Sequence, residues 1–153
     1  MNSIWRALAT GWLVAGAYSV QAQSVSVSDA WIRATVPGQK ATGAFMKITA
    51  PLASRLVSAS SPVAGVVEIH EMKMERDVMK MSALPQGLSL PAGQTIELKP
   101  GGYHVMLMDL KSTLSPNSQV AVQLTFQDAR GQQTTQDLTV PVRSPSAHSG
   151  HRH

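Results

Sequence analysis

Every histidine in the body of this chain is set among methionines. His70-Glu71-Met72-Lys73-Met74 is followed by Val78-Met79-Lys80-Met81, and later comes His104-Val105-Met106-Leu107-Met108. The other histidines, His148, His151 and His153, fall at the very end, and the chain has no cysteine. Thioether sulfur is a soft donor, and imidazole accepts borderline metals. Together, without thiolate, they favour copper in its monovalent state. A blue-copper electron carrier needs a Cys thiolate beside two histidines, so that chemistry is excluded. Thioethers also survive an oxidising compartment that would consume thiols.

These residues need strands to position them. Side chains alternate faces along a strand, so His70, Met72 and Met74 share one face, as do His104, Met106 and Met108. The segment from His70 to Met81 reads as a hairpin turning near Glu75-Arg76-Asp77. With an even loop, opposed residues lie on the same face, for example 70 with 81 and 72 with 79. Met79 and Met81 then stand beside His70. The turn lacks an Asn-Gly or Asp-Gly pair to fix that register. The plain alternative is packing, because a methionine alternating along a strand usually fills a core gap. Two buried imidazoles, however, need partners, and both coincide with six methionines between His70 and Met108.

The rest of the chain supports a small exported β domain. Its 153 residues suggest one domain. Arg6, the apolar run from Ala7 to Val20 and the small-x-small Val20-Gln21-Ala22 read as a secretory signal peptide over residues 1–22, cleaved after Ala22. No cysteine follows to carry a lipid anchor, and no later stretch is apolar enough to be embedded in a membrane. The charges are scattered, which argues against nucleic acid despite the basic balance. From residue 23 to 143 short alternating runs are broken by Pro, Gly, Asn and Asp. Eight or nine strands at this spacing imply an all-β sandwich or barrel. Asp128-Ala129-Arg130-Gly131 reads as a hairpin turn. Met46, next to Phe45, is expected in the core. Residues 144–153 are polar and read as a disordered tail. Its histidines either bind Cu(II) or Zn(II) through imidazole or belong to a plain chain end.

The pattern His70-x10-Met81-x22-His104-x-Met106 resembles the signature of the periplasmic copper chaperones called PCu(A)C. So do Pro100 to Leu110 and Asp29 to Pro37, and the likeness covers nearly all of the chain after residue 22. One residue more than usual separates Met81 from His104, which we place in the Ser82–Gly87 turn. Position 71, often Met in the family, is Glu71 here, pointing away from the face of His70. The resemblance implies a cupredoxin-like Greek-key sandwich or barrel. It implies Cu(I) held by His70, Met81, His104 and Met106. It also implies delivery of copper to CuA-type respiratory oxidase assembly, with the oxidase subunit or a Sco-type protein as partner. Met72, Met74, Met79 and Met108 are left as shielding or core residues.

The expected protein is a periplasmic, monomeric carrier and not an enzyme. Cys-x-x-Cys, Gly-x-Ser-x-Gly and phosphate-loop motifs are all lacking. Copper storage or resistance without a dedicated acceptor is the alternative. A metal-free β sandwich with methionine-rich strands is the third reading.

Overall fold

The alternating runs between Ser26 and Arg143 form ten strands. The computed structural model describes residues 24–145. The segment expected to be a signal peptide, residues 1–22, lies outside the described residues, as do the tail histidines His148, His151 and His153. The strands are β1 (Ser26–Arg33), β2 (Ala41–Thr49), β3 (Ser54–Ser60), β4 (Ala64–Glu75) and β5 (Val78–Ala83). They continue with β6 (Leu88–Leu90), β7 (Thr95–Leu98), β8 (His104–Leu110), β9 (Gln119–Asp128) and β10 (Gln133–Arg143). No helix occurs among the described residues. The all-β expectation therefore holds, with Leu88 to Leu98 divided into two short strands. Pro91 has no N–H to give to a ladder, and Gly93 takes a φ of 72° between them.

The strands run in the order β5-β4-β8-β2-β1-β10-β9-β3-β6, with β7 also on β2. A short parallel pairing of β1 with β10, Ile32 opposite Val142, joins two antiparallel halves. Each half is apolar on the face it turns inward. Ile32, Ala44, Met46, Ile48, Ile69, Val105 and Leu107 meet Leu56, Val122, Leu124, Phe126 and Val140 in one core. At about 25 cal/mol per Å² of apolar surface, this burial is the main favourable term available to a chain without disulfides.

Alternation then decides what faces outward. In β8, Val105 and Leu107 are buried in the core, so His104, Met106 and Met108 occupy the other face. In β4, Ile69 points into the core and Glu68, His70 and Met72 point out.

The β4–β5 hairpin corrects the illustrative register. Met72 pairs with Met81, Met74 with Met79, and His70 with Ala83. The parity is as expected, so all four methionines share the face of His70. The pairing nevertheless slides by two. Its turn centres on Arg76 and Asp77, both with positive φ, of 50° and 65°. A two-residue hairpin turn of this kind needs two such residues. Asp tolerates the left-handed region better than Glu, which favours Arg76-Asp77 over Glu75-Arg76 at the centre. Glu75 is thereby free to meet Lys80 at 2.9 Å.

Met46 is 1% exposed and pairs with Leu98 of β7. Met46→Ala is expected to cost about 2–5 kcal/mol through lost burial and a cavity. Chemical denaturation of the purified protein checks this, and a loss well under 1 kcal/mol would contradict a core role.

Candidate metal centre

The pairing of β4 with β8 sets His70 directly opposite His104. Their ring centroids are 5.6 Å apart at 62°. One residue along, on the opposite face, Ile69 opposes Val105 in the core. The two imidazoles are therefore held at the back of the same pairing that builds the core. They are 7% and 6% exposed.

Beside them lies a shallow pocket of about 280 Å³. His104, Met72, Met81 and Met106 line it, together with Arg33, Gly43, Phe45 and Gly101. Met81 stands at the edge, on β5, and is 49% exposed. Phe45 supports the other side, with its ring centroid 6.3 Å from that of His104. Trp31 stacks on Phe45 at 4.7 Å, and the Arg33 guanidinium lies 5.6 Å from the Phe45 centroid. Gly43 makes this packing possible, since a Cβ there would come within 2.8 Å of Phe45 Cζ.

Local backbone chemistry orients both imidazoles. Lys99-Pro100-Gly101-Gly102 forms a tight turn, with the Gly102 N–H donating to the Lys99 carbonyl at 3.0 Å. Pro100 presets the first central φ, and Gly101 supplies the positive φ, 85°, that the second requires. The turn presents the Gly102 carbonyl to two donors. It accepts from Met72 N–H at 3.1 Å and from His104 Nδ1 at 3.2 Å. His104 then keeps its lone pair on Nε2. His70 is held the other way round, because its Nε2 meets Glu68 Oε2 at 2.7 Å. A carboxylate only accepts, so Nε2 carries the proton. His70 Nδ1 is buried and has no hydrogen-bond partner among the described residues. Leaving such an atom unpaired costs about 1–3 kcal/mol.

Among the described residues, no group of three or more His, Cys, Asp or Glu side chains converges in a way that could hold a metal ion. A metal at the histidine pair would have to complete its coordination with thioether sulfur. That donor set suits Cu(I) and disfavours Mg(II), Ca(II) or structural Zn(II).

A family model described as "Putative lipoprotein LpqE-like" matches residues 25–142. The chain belongs to that family. It is 35% identical to the "Putative lipoprotein Lxx21020" of Leifsonia xyli subsp. xyli (strain CTCB07), over 80% of this chain and 72% of that one. Solved PCuAC domains share its architecture. The copper-bound PCuAC domain from PmoF2 is 20% identical, over 79% of this chain and 93% of that one, with a TM-score of 0.60. The Cu(I) form of DR1885 from Deinococcus radiodurans, solved in solution, is 28% identical, over 85% of this chain and 83% of that one, with a TM-score of 0.56. The fold of this LpqE-like chain is thus the cupredoxin-like one of PCuAC domains.

In this PCuAC-type chain the structure brings His104, Met81 and Met106 to one pocket and stands His70 beside His104. Met81 opposes Met72 and not His70. Met72, which the sequence leaves between shielding and core, forms part of the pocket wall. Met108 lies farther along β8 between Val66 and Ala41, half-buried. Met74 and Met79 are exposed. Sequence reasoning missed Glu68, Phe45, Trp31, Arg33 and the Gly102 carbonyl. Glu68 had a usable signal, since it precedes His70 by two and must share its face. The others reach the site only through strand pairing or a turn.

The pKa of His104 is lowered from its ordinary value of 6.5, first by burial and then by the nearby His70 and Arg33 charges. The Gly102 hydrogen bond opposes this shift. A lowered value means that the folded protein binds this proton less readily than the unfolded chain does. Stability contributed through His104 is therefore greatest above about pH 6.5 and declines as pH falls through that value toward the folded one. NMR titration of the metal-free LpqE-like protein should place the His104 midpoint below 6.5. A midpoint above it would contradict the burial.

Proposed function

We propose that this chain is a copper chaperone that binds one Cu(I) through His70, Met81, His104 and Met106. The observation that carries this reading is the juxtaposition of two oriented imidazoles with a thioether-lined pocket on the outer face of the sheet. Each imidazole keeps one nitrogen lone pair free, and the available sulfur comes from methionine alone. Two solved relatives in fold were determined with copper bound, which supports the same cargo here.

Delivery is the use that fits best. The described residues hold one pocket with this donor set. Met81 lines it and is exposed, and the same hairpin exposes Met74 and Met79 on that face of the sheet. Exposed apolar surface of this kind marks a place where another protein can sit. We place the chain in the periplasm, and the lipoprotein name of its Leifsonia relative fits an exported protein. No helix among the described residues is long and apolar enough to cross a membrane. The proposed acceptor is a CuA-type respiratory oxidase subunit, reached directly or beside a Sco-type protein. The proposed role is that of a carrier, without catalysis. Storage without an acceptor would instead require several ions per chain.

Thermal melts separate ligand from core. Cu(I) bound only to the native state adds RT ln(1 + [L]/Kd), about 2.7 kcal/mol at a hundredfold excess over Kd. Met81→Ala and Met106→Ala should melt near wild type without copper and lose most of the copper-induced gain. Met46→Ala should melt early and keep it. Full retention of the copper shift in both ligand variants would place the site elsewhere.

We further propose that His148, His151 and His153 form a separate Cu(II) site. Truncation after Arg143 should lower Cu(II) stoichiometry in a titration and leave Cu(I) affinity intact. An unchanged Cu(II) stoichiometry would refute the tail site.

A further inference from the structure

Glu68 stands outside the ligand set and yet touches it. It shares the outer face of β4 with His70 and lies opposite Met106 in the β4–β8 ladder. Its carboxylate is half-exposed and engages His70 Nε2 at 2.7 Å. The effect is to turn the two histidines into unlike ligands. Glu68 fixes the proton of His70 on Nε2, whereas the Gly102 carbonyl fixes that of His104 on Nδ1. The nitrogen left on His70, Nδ1, is buried and has no hydrogen-bond partner among the described residues.

We infer that Glu68 is a positioning residue that makes His70 bind Cu(I) through Nδ1, while His104 binds through Nε2. This rests on the copper-chaperone reading above. The carboxylate acts in three ways. It selects the tautomer, so the donor atom is ready before the ion arrives. It stops rotation of the ring about its χ2 bond. It also places one negative charge behind a histidine that would receive a monovalent cation. Carboxylate–histidine–metal arrangements do this generally, and losing the outer partner typically lowers metal affinity about 10–100-fold. Glu68 is not itself a candidate ligand for Cu(I), because a hard carboxylate oxygen matches a soft ion poorly.

Nitrogen-15 NMR of the imidazoles tests this in the full chain. Without copper, His70 should show a protonated Nε2 and a bare Nδ1, and His104 the reverse. On addition of Cu(I), the His70 Nδ1 resonance should shift while the Nε2–H signal persists. Glu68→Gln retains an acceptor and should retain the tautomer, with a weaker loss of affinity. Glu68→Leu should broaden the Nε2–H signal by exchange and lower Cu(I) affinity about 10–100-fold. Because Glu68 is half-exposed, both variants should fold, and the amide spectrum verifies this. Cu(I) binding through His70 Nε2, or wild-type affinity in Glu68→Leu, would overturn the proposal and leave the chaperone reading standing. Failure of the wild-type chain to bind Cu(I) would overturn both.

Discussion

The ladder between β4 and β8 is a single set of backbone hydrogen bonds with two different faces. On the inner face it opposes Ile69 to Val105, and on the outer face it opposes His70 to His104. Side chains alternate with a period of two, so a slip of one residue would send Ile69 toward solvent and the imidazole into the core. Apolar burial therefore fixes the register that brings the histidines together. The histidine pair is brought together by the hydrophobic effect acting on the other side of the sheet.

That arrangement leaves a polar problem which the local sequence solves. Imidazoles so little exposed need partners. The Pro100-Gly101 turn provides one by presenting the Gly102 carbonyl, which also accepts from Met72 and so ties the turn to β4. Glu68 provides the other. Each histidine is thereby satisfied at one nitrogen and open at the other. Phe45, lying over Gly43 with Trp31 stacked behind it, gives the pocket an apolar support. Low polarity around the donors suits a soft monovalent ion and raises the cost of a more highly charged one.

Much of this was legible in the sequence, though unevenly. The His-x-Met spacings are local, and period-two alternation converts them directly into shared faces. An even hairpin loop was a supposition that the sequence did not secure; with it, Met79 and Met81 fall on the face of His70, and the structure has that parity. The pairing itself could not be fixed. It turns on whether Glu75-Arg76 or Arg76-Asp77 takes the left-handed conformations, and neither pair carries the Asn-Gly or Asp-Gly signal that would decide it. Phe45, Trp31 and Arg33 were hidden for a different reason. They reach the pocket through β2 and β1, and the sequence carries no local mark of which strands β8 will join. The Gly102 carbonyl is backbone, so side-chain patterns do not announce it.

The proposed ligands span a gradient from fixed to exchangeable, and that gradient suits transfer better than storage. His70 and His104 sit on interior strands, each flanked on both sides by another strand. Met81 sits on β5, which pairs only with β4 and is exposed along its whole length. Exposed edges invite unwanted pairing, and Lys80 with the tightly turned hairpin tip blunts this one. An edge strand can also move without disturbing the core behind the histidines. A thioether donor on that edge can be displaced by an incoming sulfur ligand while the imidazoles still hold the ion. In the proposed delivery, exchange through such a shared intermediate would not release free copper. A ligand set buried equally on all sides would bind as well but would have to open its core to give the ion up.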